Sequence, residues 1–244
     1  MIVLGLDTAT SIASVALVKD AQLIAEESYD RNRRTAQTAL ARPKGNHAEI
    51  ILPLIDSILA RGKVSLNDLS GIAVSIGPGS FTGLRIALAT VKGIAYDWGV
   101  PVVGVSTLLA NAARVKDHAG VVCSLMDARK REVYAAIYVR RGESLAPVSD
   151  ERVCSIAAAI ETLRAIEMPN PVIIGDGARA YEGLLAEAFG AARVSSGEEL
   201  GTVAAQVAAL SWRRFVDGQG DELAGLVPRY LRSSEAQSKL VAQL

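Results

Sequence analysis

Aromatic residues, histidines and cysteines are all scarce in this chain of 244 residues. Aromatic side chains make up 5% of the chain, so its core must be built mainly from Ala, Val, Ile and Leu. The two cysteines, Cys123 and Cys154, lie far apart and have no CxxC spacing. We expect them to be buried free thiols in a reducing compartment.

Net charge and long apolar runs are absent as well. The 26 basic residues equal the 26 acidic ones, so electrostatic attraction alone will not hold this chain on nucleic acid. If RNA is bound, another chain is expected to supply most of the contact. No stretch approaches the roughly 18–20 apolar residues of a membrane span. The apolar run at residues 2–6 follows no basic segment and stops at Asp7, so we predict a cytoplasmic protein without a signal peptide or membrane partner.

The apolar pattern predicts two halves that share one order of elements. In each half, strands with short connections come first, and helices then alternate with strands. The predicted strands cover residues 2–7, 12–18, 23–29, 71–76 and 102–105, then 121–126, 133–139 and 171–174. The predicted helices cover a stripe at residues 50–59 closed by Gly62, then about 82–98, 156–166 capped by Ser155, 176–190 and 202–216.

This order predicts an α/β protein with the actin-like ATPase (ASKHA) fold. Its two tandem, related lobes are predicted at residues 1–106 and 107–244. A single doubly wound sheet is the competing fold, but the opening meander of each half argues against it.

The most distinctive motif joins a predicted buried strand to a predicted helix. It consists of Gly77, Pro78, Gly79, Ser80, Phe81, Thr82, Gly83, Leu84 and Arg85. The glycines permit backbone conformations closed to other residues, and Ser80 or Thr82 can cap the helix. Amides at the helix start could hold an anion, but a tight turn without a ligand explains the motif equally well. The Gly-Lys-Ser/Thr of a Walker loop does not follow.

The helix that begins at this motif has an unusual second face. Its first face is predicted to cover the sheet and consists of Leu84, Ala87, Leu88, Val91, Ile94 and Trp98. The opposite face carries the small or apolar residues Ile86, Ala89, Thr90 and Gly93. The preceding helix has a comparable face at Pro53, Ser57 and Ala60. Together these faces could pack against another subunit, or they could be covered within the chain itself.

Several segments resemble the TsaB (YeaZ) family, and the similarity covers nearly the whole chain. They are MIVLGLDTATSIASVAL, NHAEIILPLI, IGPGSFTGLRIALATVKGIA, VVCSLMDARKREVYAAIY and the closing PRYLR. The resemblance implies a role in making threonylcarbamoyladenosine, the modification beside the anticodon of certain tRNAs. TsaB-type proteins pair with their paralogue TsaD, the TsaE ATPase joins them, and TsaC-type enzymes supply threonylcarbamoyl-AMP. The implied partners are therefore TsaD, TsaE and, through the complex, tRNA, with a homodimer possible when the chain is alone.

The resemblance also implies where the partner binds, because this family pairs through helices of the N-terminal lobe. The implied partner-binding residues are His47, Glu49, Pro53, Ser57, Ile86, Ala89, Thr90 and Gly93. The turn from Gly77 to Arg85 is expected to shape the interface or its adjoining cleft.

We expect no catalytic residue, metal or cofactor on this chain, and ATP or ADP and the metal on its partner subunits. The two histidines, His47 and His118, form no HxxxH pair. The turn at residues 7–10 lacks the glycine that would let backbone approach a phosphate, and bulky charged residues fill 127–131. Residues 175–178 resemble an adenosine motif only faintly. A stand-alone ATPase or kinase and a metallopeptidase remain the alternatives.

A basic stretch at residues 31–46 departs from the family pattern, in which a shorter connection is expected. It contains no acidic residue, and its cations are Arg31, Arg33, Arg34, Arg42 and Lys44. We predict a solvated loop, with contact to RNA phosphate as the alternative.

Overall fold

A computed structural model describes residues 1–31, 35–36, 46–195, 197 and 199–232, so most of the predicted basic loop lies outside the described residues. The first elements in chain order are β1 (Ile2–Asp7), β2 (Ile12–Lys19), β3 (Gln22–Asp30), β4 (Thr35–Ala36), α1 (His47–Gly62), β5 (Gly71–Gly77), α2 (Phe81–Trp98), β6 (Val102–Ser106) and α3 (Thr107–Ala113). The remaining elements are β7 (Gly120–Asp127), β8 (Glu132–Arg141), β9 (Ser144–Pro147), β10 (Arg152–Ser155), α4 (Ile156–Ala165), β11 (Val172–Ile174), α5 (Asp176–Ala180), α6 (Glu182–Phe189), β12 (Val194–Ser195) and α7 (Val203–Val216).

The chain divides into two units, each with its own sheet. The first unit contains Met1–Arg114 and Gly197–Pro228, and the second contains Val115–Ser196 together with the chain from Arg229. This division differs from the predicted boundary at residue 106. The difference arises because β6 runs directly into α3, which packs on α7, and α7 returns to the first sheet.

The first sheet has the strand order β4-β3-β2-β1-β5-β6. Strands β1 to β4 pair with one another antiparallel, whereas β5 and β6 run parallel to β1. Leu4 faces Leu17 of β2 on one side and Ile72 of β5 on the other. The meander followed by parallel strands matches the predicted order.

Helices cover both faces of this sheet, which explains why its strands read as continuous apolar runs. Leu4 and Leu6 pack under α1 and α2, while Val3 packs with residues of α3 and α7. Helix α7 lies directly against β1, since a Cβ on Gly5 would be 2.2 Å from the Ala204 carbonyl oxygen. A larger residue at position 5 would therefore push α7 away from the sheet.

One arginine holds the chain where it re-enters the first unit. Arg114 Nε donates to the Gly201 carbonyl at 3.0 Å, and Nη2 donates to the carbonyls of Gly197 and Gly201. Its Nη1 donates to Asn111 Oδ1 at 3.0 Å. Arg114 thus links the end of α3 to the segment that leads into α7.

The second sheet repeats the layout of the first, with strand order β10-β8-β7-β11-β12 and β9 also paired with β8. Strands β7 and β8 are antiparallel, and β11 and β12 continue parallel to β7. Helices α4, α5 and α6 contribute Ile156, Ala178 and Leu185 to the core on one face. Two related α/β units therefore occur in tandem, as the actin-like fold requires, and this confirms the predicted fold class.

Three local predictions need correction. The helix expected over 176–190 is divided into α5 and α6, and α3 was not predicted. Gly62 is the last residue of α1 instead of its cap, and Lys63 takes the left-handed conformation at φ 53°. A Cβ on Gly62 would be 2.4 Å from Leu17 Cδ2, so this glycine permits close packing of α1 on β2.

Candidate partner-binding surface

The Gly77–Arg85 turn lies where the parallel strands β1 and β5 end, and it packs against the turn that follows β1. Thr8 Oγ1 donates to the Gly83 carbonyl at 2.8 Å, and Ser80 N donates to the Ala9 carbonyl at 2.7 Å. A Cβ on Gly83 would be 2.0 Å from the Thr8 carbonyl oxygen, and one on Gly79 would be 2.5 Å from that of Ala9. The two turns therefore touch backbone to backbone, which requires glycine at both positions.

The amides of Ser80 and Gly83 have partners within this turn or in the turn after β1. Ser80 is the N-cap of α2, and its hydroxyl accepts from Gly83 N at 3.2 Å. Ala9 N donates to Asp7 Oδ1 at 3.3 Å. Because these donors already have partners, the arrangement matches a tight strand-to-helix turn better than an anion-binding loop.

Asp7 is buried at the end of β1, with 1% of its surface exposed. Its Oδ1 accepts from the Ser75 hydroxyl at 2.5 Å as well as from Ala9 N. A carboxylate that bonds a backbone amide two residues onward stabilises a turn. This geometry supports the structural role of Asp7 over a role as a ligand for metal-bound water.

The second face of α2 is partly open to solvent within the described part of the chain, although Ile86 also packs against the core. Ala89 and Gly93 are exposed, and Ile86 and Thr90 are half-buried. A Cβ on Gly93 would meet nothing within 4 Å. The predicted inner face is buried, except that Trp98 at the end of the helix is 41% exposed. Helix α2 therefore presents a surface strip of four residues without a charge.

The predicted continuation of this strip onto α1 stays a prediction. Ser57 Oγ donates to Glu27 Oε2 of β3 at 2.7 Å, so its flank of α1, which includes Pro53, faces β3. In the sheet, β3 and β5 lie on opposite sides of β1, and α2 packs on β5. Pro53 and Ser57 are both half-buried. Ala60, on the same flank, is exposed.

His47 and Glu49 do not both lie on the surface. His47 is 4% exposed, and its Nε2 lies 3.4 Å from the Ser11 carbonyl oxygen. Burial lowers the pKa of His47, because it disfavours the charged imidazolium. The prediction that its side chain binds a partner is therefore corrected: His47 supports α1 from within. Glu49 is exposed and accepts from Asn46 Nδ2 at 3.0 Å at the helix start.

Sequence reasoning overlooked two exposed side chains on these helices, Leu52 and Tyr96. Leu52 is 52% exposed on the side of α1 opposite Ser57, and Tyr96 of α2 is 87% exposed. Both are large residues that do not share the helical spacing of the buried stripe, and this spacing could have predicted their exposure. Phe81 at the start of α2 is 38% exposed, with the Arg85 guanidinium 3.8 Å from its ring centroid.

The turns of the second unit also have structural explanations. Asp176 Oδ1 accepts from Asp127 N at 3.2 Å, and desolvation of the carboxyl group raises the pKa of Asp176 although the residue as a whole is exposed. A Cβ on Gly177 would be 2.8 Å from the Met126 carbonyl carbon, so this glycine allows α5 to lie close to β7. Close packing accounts for Gly177, and a φ of 121° accounts for glycine at position 175.

The residue types that bind metals are dispersed in the described part of the chain. His47 lies in the first unit and His118 in the second. Among the described residues, no three His, Cys, Asp or Glu side chains are grouped so as to hold a metal ion. Both cysteines are free, and burial raises the pKa of Cys123 to about 12. No helix in the described part of the chain is long and apolar enough to cross a membrane.

Comparisons with known proteins agree with one another. A model of the family described as "TsaD: tRNA N6-adenosine threonylcarbamoyltransferase" matches residues 38–239. The chain is 32% identical over 243 residues to the Escherichia coli (strain K12) "tRNA threonylcarbamoyladenosine biosynthesis protein TsaB", with 98% of each chain covered. A solved Pseudomonas aeruginosa structure, described as an uncharacterized protein with similarity to peptidase YEAZ, is 26% identical with a TM-score of 0.73, covering 95% of this chain and 99% of that one.

A more distant structure bears on the fold alone. Component A of the Acidaminococcus fermentans (R)-2-hydroxyglutaryl-CoA dehydratase is 10% identical, with a TM-score of 0.52 over 88% of this chain and 99% of that chain.

Proposed function

The chain belongs to the TsaB (YeaZ) family, and from this membership we propose that it is a non-catalytic partner subunit in tRNA threonylcarbamoyladenosine biosynthesis. In this role it assembles with a TsaD paralogue and activates threonylcarbamoyl transfer to the adenosine next to the anticodon. TsaE is the further partner, and the tRNA is reached through the assembly.

The observation that carries this proposal is the open, uncharged strip on α2. Ile86, Ala89, Thr90 and Gly93 are spaced three to four residues apart, so they share one side of the helix. Small residues let a second helix approach closely, and nothing in the described chain lies within 4 Å of a Cβ placed on Gly93. A helix of a related subunit fits such a surface.

The turn at residues 77–85 supports a partner role over a stand-alone ATPase. The backbone of the turn after β1 occupies the space beside Gly79 and Gly83. Three amide groups donate hydrogen bonds within the two turns, namely those of Ser80, Gly83 and Ala9. A phosphate-binding loop would need such amides to point at the ligand. The turn instead fixes the start of α2, and so the orientation of the strip.

Co-purification with the TsaD homologue of the same organism tests this role. The informative variant is Gly93→Arg, whose long charged side chain would separate a closely packed partner helix. Gly183→Arg is the matched control, since Gly183 is also an exposed helical glycine with nothing within 4 Å of its Cβ position, but lies on α6 of the second unit.

We expect wild type and Gly183→Arg to co-purify with TsaD and Gly93→Arg to be lost from the complex while melting normally. If Gly93→Arg binds like wild type, the strip is not the interface. If wild type fails to bind, or forms threonylcarbamoyladenosine without TsaD, the partner role is refuted. Gel filtration of the chain alone shows whether a second copy covers the same strip.

A further inference from the structure

The tip of the β7–β8 hairpin is made of three consecutive cationic residues with an unusual backbone. Arg129, Lys130 and Arg131 are all exposed, and their φ angles are 63°, 53° and 62°. Side chains disfavour this left-handed region, whereas glycine adopts it freely. A turn that holds three long cationic side chains where glycine would fit better points to a role for those charges.

The base of this hairpin is fixed on both strands. Ala128 N donates to the Glu132 carbonyl at 3.0 Å, and Glu132 N donates to the Arg129 carbonyl at 2.9 Å. Arg232, in the closing PRYLR segment, donates to the Ala128 carbonyl at 2.8 Å and to the Glu132 carboxylate. The tip is therefore held in one geometry before any ligand arrives, which lowers the entropy lost on binding.

The tip carries three exposed cations, and carboxyl groups lie at its base. Glu132 pairs with Arg232, while Asp127 accepts from Arg129 N at 2.8 Å and lies 4.0 Å from its Nε. Asp176 Oδ1 accepts from Asp127 N, which places a third carboxyl group at the base of the hairpin. The side chains of Arg129, Lys130 and Arg131 are exposed beyond these carboxyl groups.

We propose that residues 129–131 bind the phosphate backbone of an RNA. Arginine matches two phosphate oxygens with its planar fork, and lysine adds a compact charge, so such a cluster suits phosphate. The tip has no apolar or aromatic side chain of the kind that anchors protein interfaces, which favours RNA over an acidic protein surface. Because the chain has no net charge, any contact that it makes with RNA has to come from a local cluster of cations such as this one. The inference rests on the proposed function, which makes the RNA a tRNA.

The test is titration of the assembled complex of this chain and TsaD with tRNA at several salt concentrations. A double variant, Lys130→Gly with Arg131→Gly, removes two charges and keeps a backbone suited to positive φ, so it should still fold. Arg131→Lys keeps the charge. Arg141→Ala removes an exposed cation at the opposite end of β8 and is the matched control.

We expect the double variant to bind tRNA about tenfold more weakly near 0.1 M salt and to lower the slope of log affinity against log salt by about 1.5. Arg131→Lys and Arg141→Ala should keep the wild-type slope. An unchanged slope in the double variant overturns the proposal, and so does weaker assembly with TsaD at unchanged tRNA affinity, which would identify an acidic protein partner. If wild type itself does not pair with TsaD, it is the proposed function that fails.

Discussion

Gly83→Ala is expected to destabilise the first unit through a single methyl group. The new Cβ would lie 2.0 Å from the Thr8 carbonyl oxygen, which is backbone and cannot swing aside. Overpacking of this kind costs about 1–3 kcal/mol. The bond from the Thr8 hydroxyl to the Gly83 carbonyl contributes about 1 kcal/mol more if it is lost. Alanine regains about 1 kcal/mol over glycine in a helix, so the net loss is about 1–3 kcal/mol.

The same substitution ten residues later should have the opposite sign. Gly93 lies on the same helix, and its Cβ would meet nothing within 4 Å. Gly93→Ala therefore gains the helical preference of alanine, about 1 kcal/mol, without a clash. The two variants differ in packing and share their chemistry, which isolates the contact between the two turns.

Urea unfolding followed by tryptophan fluorescence measures both effects. The two tryptophans, Trp98 and Trp212, both lie in the first unit, so their signal reports on that unit. We expect Gly83→Ala to lower the midpoint and Gly93→Ala to raise it, at equal slopes. In a thermal scan each kcal/mol corresponds to about 2–4 °C. Equal shifts for the two variants would refute the reasoning that the turns touch backbone to backbone.

Two further predictions concern stability. Because the pKa of His47 is lowered from 6.5 in the folded chain, the unfolded chain binds more protons just below pH 6.5, and the free energy of unfolding should fall as the pH drops through that range. His47→Gln should flatten this fall, whereas an imidazole of His47 that titrates normally by NMR would contradict the prediction. The ammonium group of lysine cannot form the forked hydrogen bonds that the Arg114 guanidinium donates to the carbonyls of Gly197 and Gly201. Arg114→Lys should therefore lower the free energy of unfolding by about 2 kcal/mol and speed proteolysis near residues 197–202. Cleavage at the wild-type rate would show that these hydrogen bonds do not hold the segment.

Periodicity predicted most elements of both sheets, because each half begins with an apolar meander bounded by turn residues. Helix α3 escaped prediction because Thr107–Ala113 is short and almost entirely buried, so it shows no polar face. The apolar stripe of α7 predicted a helix but does not indicate which sheet the helix covers. That choice depends on Gly5 and Ala204, which are 199 positions apart and meet only in the fold.

The candidate surface was predicted in part. The strip on α2 follows from small residues at helical spacing, and Ala89 and Gly93 are exposed there, while its partner-binding role stays a prediction. The position of His47 in the first turn of α1 predicted a surface residue, which is wrong. A first-turn side chain can point inward where the N-cap residue, here Asn46, turns the chain. The flank of α1 at Ser57 is set by the buried Glu27 of β3, a long-range hydrogen bond that no local pattern reveals.

Helix α7, which completes the core of the first unit, also sets an order of events during synthesis. The 82 residues from Val115 to Ser196 leave the ribosome before it, which takes about 4–16 s at ordinary elongation rates. Throughout that interval Val3, Ala73 and Val103, which later pack with α7, lack their cover. A nascent chain that stalls before residue 203 would present this apolar face to chaperones, while the second sheet is already available to fold.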